Sequence, residues 1–250
     1  MAPVLECPGL PMKTLEDIQA IKSRGMGHFV RPMRMADIAQ VTDVEQECFP
    51  VGWSPTPFRR ELQTKTSFYL VGCSASDPTR AEDEATMFIG VPEQPEEQPK
   101  PVLLRLVEGL RSVIAPGAGP AQDFTQYVAG YVGLWFILEE AHVTAIGVRE
   151  RDRRHGIGEL LLIASIESAL RRGSREVTLE TRVSNTPAQN LYLKYGFNRM
   201  GIRKGYYTDN REDALIMTTD PITSLEYRAR LDRLSQQHAQ RWGESIRYLG

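Results

Sequence analysis

The sequence predicts an α/β (α+β) fold with a central sheet of about six to seven strands. Three observations predict it. The strand-like run Ala141–Val148 passes through polar Arg149–Asp152 and a glycine loop, Arg153-Arg-His-Gly-Ile-Gly158, into a long apolar helix-like run, Glu159–Leu170. Strand-like and helix-like segments then keep alternating as far as Thr218. The 250 residues, 41% of them hydrophobic, suffice for one sizeable core with attachments.

In chain order, residues 1–26 read as an extension in which Thr14 to Arg24 can form a short helix with Leu15, Ile18 and Ile21 on one face. The main domain, 27–220, opens with a strand at Phe29–Arg34. Asp37–Cys48 is helical in pattern, with Ile38, Val41 and Val44 near one face. Ser54-Pro55 starts another helix carrying Phe58 and Leu62, and Ser67–Gly72 is a strand. Residues 73–125 read as an insertion. Its first part is rich in Pro, Glu and Asp around the apolar run Thr86–Val91. Val102–Ile114 is an amphipathic helix, with Leu103, Leu106, Leu110 and Val113 at helical spacing, broken by Pro116 and Pro120. The insertion is a surface elaboration on one reading and a substrate lid or dimer contact on the other.

Strand character returns at Gln126–Leu138. After the Glu159–Leu170 helix, Gly173 suits a helix stop, and Glu176–Val183 alternates like a strand. Ser184-Asn-Thr-Pro187 supplies cap residues and a proline for the first turn of a helix, Ala188–Tyr195, closed by Gly196. Phe197–Tyr207 and Ala214–Thr218 complete the strands. Residues 221–250 form a polar helical tail with Leu225, Leu231, Leu234 and His238, locally basic through Arg228, Arg230, Arg233, Arg241 and Arg247. A packing or solvated helix is the first reading of it, and ribosome or RNA contact the alternative.

The bulk properties exclude several classes. A net charge of −2 gives no general attraction to nucleic acid, so no specific nucleic-acid partner is expected. The three cysteines are scattered, which suits free thiols in a reducing compartment. The four histidines show no metal-ligand spacing, and no metal is expected. No signal-peptide pattern opens the chain, and the longest apolar run, Val128–Leu138, is too short to span a bilayer. A cytoplasmic protein is the expectation.

The glycine loop is the chemical signal. A strand that runs through glycines into a helix N-terminus makes an anion site, because the first helical N–H groups lack intrahelical partners and the helix dipole adds positive charge there. The dinucleotide fingerprint is not met, since its third glycine is missing, nor is the ATP loop, since Glu159 follows Gly158. A phosphate-bearing cofactor is one reading of the loop and an ordinary strand-to-helix turn with a glycine-rich cap the other, and the loop alone does not decide between them.

The form Arg-x-x-Gly-x-Gly after a strand resembles the acetyl-CoA pyrophosphate loop of the GNAT N-acetyltransferases. Glu180-Thr-Arg-Val-Ser-Asn185, Leu191-Tyr-Leu-Lys-Tyr-Gly-Phe197, Arg203-Lys-Gly-Tyr-Tyr207 and Glu212-Asp-Ala-Leu-Ile-Met217 are similar to one branch of them, the bacterial ribosomal-protein S18-alanine N-acetyltransferases. The similarity runs from about Leu138 to Met217, with a weaker echo at Phe49-Pro50 and Trp53-Ser54, where Val51 and Gly52 are extra. The resemblance implies a GNAT fold with a mixed sheet flanked by helices. It implies acetyl-CoA as cosubstrate, a protein N-terminus or peptide as partner, and ribosomal protein S18 as that partner. It leaves the oligomeric state open. A GNAT acting on a lysine side chain or small amine, or a non-catalytic acyl-CoA-binding module, stand as alternatives.

By the same resemblance, Glu180 is the general base and Tyr192 the general acid. Without it, Glu180 reads as a strand glutamate paired with Arg182 or a lysine, and Tyr192 as a packing residue with its hydroxyl at the surface. Tyr195 on the same helix serves as its control. Ile146, Gly147 and Val148 would meet the pantetheine arm, with the Val148 N–H a candidate oxyanion donor. Arg154, His155, Gly156, Ile157, Gly158 and Glu159 would hold the pyrophosphate, mainly through backbone N–H groups, and Asn185 would both cap its helix and touch CoA. On the acceptor side stand Trp53, Tyr206, Tyr207 and Glu140, the last also a reserve base near Glu139 and His142. Tyr206 and Tyr207 read equally well as an aromatic strand pair.

Overall fold

The structure, a computed structural model, describes residues 25–49, 54–74 and 126–249. They hold strands β1 (His28–Pro32), β2 (Ser67–Ser74), β3 (Tyr127–Ile137), β4 (Glu140–Val148), β5 (Glu176–Arg182), β6 (Phe197–Tyr207) and β7 (Glu212–Thr219). The helices are α1 (Ile38–Cys48), α2 (Phe58–Glu61), α3 (Ile157–Arg171), α4 (Thr186–Lys194) and α5 (Leu225–Trp242). The helix expected at 14–24, the inserted helix at 102–114 and Trp53 lie outside the described residues.

The strands form one sheet in the order β1-β2-β3-β4-β5-β7-β6. Every neighbouring pair is antiparallel except β4 and β5, which run parallel, so the sheet is mixed. Its two faces follow from the two-residue period of a strand. Phe29, Tyr69, Val71 and Tyr131 share a core with Val41 and Val44 of α1 and Phe58 of α2. Their neighbours Val30, Leu70, Ala129 and Val132 share the other core with α3. Helix α3 is buried almost all round, from Ile157 to Ala169, because it lies between the sheet and a further layer.

That layer is the tail. Ser224 caps α5 by accepting from the Tyr227 N–H at 3.1 Å. Tyr227, Leu231, Leu234 and His238 then fall on one buried stripe. The polar helix of the sequence is thus half a core helix, and the chain beyond it is not helical. After Gly243, residues 244–248 run beside β1, with Met26 N–H to Glu244 O at 2.9 Å, Val30 N–H to Ile246 O at 2.9 Å and Tyr248 N–H to Val30 O at 2.8 Å. This strap covers the β1 edge and is pinned to α3 by a two-point bond from Arg247 to Glu167 at 2.8 and 2.9 Å.

Candidate active site

Strands β4 and β5 pair only from Glu140↔Glu176 to Val143↔Leu179. Beyond that point β4 continues beside β3 and β5 beside β7, so the two part and a fork opens between them. A bulge marks the parting: Gly133 faces Ala145 and Leu134 faces Val143, which leaves Thr144 as the extra residue.

Inside the fork, β4 presents its backbone. The Arg149 N–H bonds Ala129 O at 2.9 Å, and the alternation of an antiparallel ladder then turns the peptide groups of Val148 and Ile146 away from β3. The Val148 carbonyl accordingly accepts from Cys48 Sγ at 3.2 Å and from Arg153 Nε at 3.1 Å. Gly147 between them is buried.

At the end of β4 the loop enters α3. Gly156 is the cap residue at φ 80, and Arg154 is also left-handed at φ 62. The Leu160 N–H to Gly156 O bond at 2.9 Å is the first of the helix, and no side chain caps the earlier N–H groups. A Cβ built on Gly158 would meet only Val148 Cγ2, at 3.6 Å, so that side of the turn is open to a close approach. These features fit a pyrophosphate. Arg154 and His155 are exposed, and the Ile157 side chain is sunk in the core, which leaves its backbone to the loop. Burial raises the Glu159 carboxyl, but hydrogen bonds from Lys194 at 2.6 Å and Tyr195 at 2.7 Å hold it below its ordinary value. Its charge is thereby offset next to an anion site. Asn185 Oδ1 accepts from the Ala188 N–H at 3.3 Å, which is the capping role its position predicts.

Glu180 is the first residue of β5 past the last β4 pair, and its side chain is 7% exposed. It is not paired with Arg182, which binds Asp209 and Glu212 on the β6–β7 connection instead. One Glu180 oxygen lies 3.1 Å from His142 Nε2 and the other 3.2 Å from an Arg203 guanidinium nitrogen. The His142 bond, aided by the charges of His142 and Arg203, outweighs burial and holds the carboxyl below its usual range. The other ring nitrogen, Nδ1, lies 3.8 Å from a Glu140 oxygen. Trp135 stacks on His142, with centroids 6.5 Å apart, and its Nε1 donates to Glu61 at 2.9 Å.

Sequence reasoning picked Glu140 from this stretch, named His142 only as its neighbour, and missed Arg203, Trp135 and Glu61. The signal for His142 was there: in parallel register it faces Thr178, and Glu180 follows on the same face two residues on. The other three come from strands and helices whose approach only the fold supplies.

Tyr192 is 5% exposed and packs on Phe197 with centroids 5.6 Å apart. Burial pushes this phenol well above its ordinary value and keeps its proton on. Tyr195, one turn on, donates to Glu159 and serves the scaffold. Tyr206 is 39% exposed and stands T-shaped to Tyr207 at 5.2 Å. Tyr207 is covered by the Arg182 guanidinium, 3.9 Å above its ring. Of the described residues, none form a cluster of three or more His, Cys, Asp or Glu that could hold a metal ion, and no helix is long and apolar enough to cross a membrane.

The forked mixed sheet with the loop at its end is a GNAT fold. Residues 113–197 match the model of the Acetyltransferase (GNAT) family. Over 91 residues it is 46% identical to a Bacillus subtilis protein provisionally described as a ribosomal protein bS18-alanine N-acetyltransferase; the match covers 36% of this chain and 60% of that protein. Over 83 residues it is 43% identical to the [ribosomal protein bS18]-alanine N-acetyltransferase of Escherichia coli (strain K12), covering 32% of this chain and 56% of that enzyme. The matched stretch thus spans little more than half the length of these relatives. Among solved structures, the ribosomal-protein-S18-alanine N-acetyltransferase from Escherichia coli aligns with a TM-score of 0.53 at 24% identity, over 79% of this chain and 95% of that one. Ard1 from Thermoplasma volcanium aligns at 0.51 and 19% identity, over 77% and 96%. These likenesses show the fold.

Proposed function

We propose that the chain is an acetyl-CoA-dependent N-acetyltransferase for a protein N-terminal α-amine, with alanine-starting ribosomal protein S18 as the acceptor. One observation carries this reading: a half-buried glutamate, tied to a histidine, stands where β4 and β5 part. The relatives named for bS18 alanine acetylation point to the acceptor.

Acetyl-CoA would lie in the fork and supply a thioester already activated for acyl transfer. Ile146, Gly147 and Val148 would line its pantetheine arm, the Val148 N–H facing the carbonyl oxygen where charge develops. Residues 154–159 would take the pyrophosphate and Asn185 would border the same arm. The incoming α-ammonium, with a pKa of about 7.7–8.0, must lose a proton before it can attack. Glu180 is the base: its carboxylate, flanked by His142 and Arg203, draws the ammonium in and takes its proton. Tyr192, held protonated by its apolar surroundings, returns a proton to the departing thiolate. Tyr206, Tyr207, Glu140 and Trp53 would line the acceptor side.

Incubating the protein with acetyl-CoA and an alanine-starting S18 peptide should release CoA thiol and yield a peptide acetylated at its N-terminus. A lysine peptide with a blocked N-terminus and a polyamine are the controls. Preferential turnover of either control would overturn the acceptor, and turnover of none would overturn the activity.

A further inference from the structure

Helix α5 reaches the cofactor loop from outside the fork. His238, 3% exposed, places Nε2 3.0 Å from the Gly156 carbonyl oxygen. That oxygen already accepts the Leu160 N–H, so both of its lone pairs are used. Trp242, one turn further on, fills the space beside the Gly156 Cα: a Cβ there would lie 2.6–2.8 Å from three indole atoms. The tail is held down independently of these contacts, by Tyr227 Oη donating to Tyr195 O at 2.7 Å and by the Arg247–Glu167 pair.

A peptide group is planar and trans, so the Gly156 carbonyl and the Ile157 N–H point in opposite directions from one rigid plate. A donor that fixes the carbonyl therefore also fixes where the first helical N–H points, and it polarises that N–H toward an anion. We propose that His238 and Trp242 are positioning residues of the phosphate loop, holding the Gly156–Ile157 peptide so that the N-terminus of α3 faces the donor's pyrophosphate. This rests on the acetyl-CoA reading above. Neither residue touches the reacting atoms. Their effect falls on the affinity for the donor and not on acetyl transfer.

The test compares His238→Ala, His238→Gln and Trp242→Ala with the wild type, using CoA titrated by calorimetry and two donors, acetyl-CoA and acetyl-pantetheine. The second donor lacks the pyrophosphate. His238→Ala should weaken CoA binding and raise the KM for acetyl-CoA about tenfold, the scale of one lost hydrogen bond. Its kcat should stay within about twofold, and its kinetics with acetyl-pantetheine should not change. His238→Gln, whose amide can donate to the same carbonyl, should recover most of the loss. Equal losses with both donors, or a fall in thermal stability with the KM for acetyl-CoA unchanged, would overturn the proposal. A wild type that binds no CoA would overturn the acetyl-CoA reading and this inference with it. A wild type that binds CoA no better than His238→Ala overturns this inference alone.

Discussion

As the proposed base, Glu180 would begin from a carboxyl held below its ordinary value and would have to take a proton from an ammonium at about 7.7–8.0. The bond to His142 widens that difference, because it favours the ionised carboxylate. Glu180→Gln should lower kcat about 10²–10³-fold and leave CoA affinity intact, measured by steady-state kinetics beside calorimetry. His142→Ala removes the bond that holds the carboxyl down. The acid limb of the kcat/KM profile should then move to higher pH, and a limb that stays put would separate His142 from the titrating group. Gly156 stands at the same scale. Its φ of 80 disfavours any side chain, and Trp242 occupies the Cβ position. Gly156→Ala should cost more than the ~1–2 kcal/mol of a left-handed alanine alone, read from chemical denaturation. Trp242→Ala in the same chain should return part of it.

At the scale of elements, the β6–β7 connection is tied to the end of β5 by charge. Hydrogen bonds from Ser184, with Arg182 beside them, hold the Glu212 carboxyl at about 2, against 4.5 unperturbed. A depressed carboxyl stabilises the fold above its unfolded value, and the stabilisation is lost as pH falls toward the folded one. The difference in Tm between wild type and Glu212→Gln should therefore be full at pH 6 and shrink steadily between about pH 4.5 and 2. A difference flat in pH would place the stabilisation elsewhere. The elements themselves were legible because periodicity and punctuation agree: Gly173 and Gly196 end helices, and Asn185 begins one. Helix α3 starts two residues earlier than its apolar run suggests, since Gly156 itself supplies the cap. The Ser54-Pro55 start gave way to a single turn at Phe58–Glu61, whose first anchor is the buried Phe58. Glu180 and Tyr192 are singled out by the family resemblance alone, and the partners of Glu180 arrive from β4 and β6, meetings of which local pattern carries no record.

For the whole molecule, the tail is structural, and composition hid this. Its mean character is polar, yet a stripe from Tyr227 to His238 covers α3, and the strap closes the β1 edge. Leu231→Ala, at a site 5% exposed, should cost about 2–5 kcal/mol in denaturant unfolding, whereas a solvated helix would lose almost nothing. The strap has a temporal consequence as well. Met26 bonds Glu244, and Val30 bonds Ile246, so the first described strand acquires its outer neighbour from the far end of the chain. Closing so long a loop must come late and is slow, because its entropy is spent before any contact is gained. His238 lies on the same returning segment, so on the acetyl-CoA reading the donor loop would be completed only when the tail docks. The capacity to bind CoA would then report a finished fold: a chain that had built its sheet but not docked its tail would have a fork and no properly aimed loop.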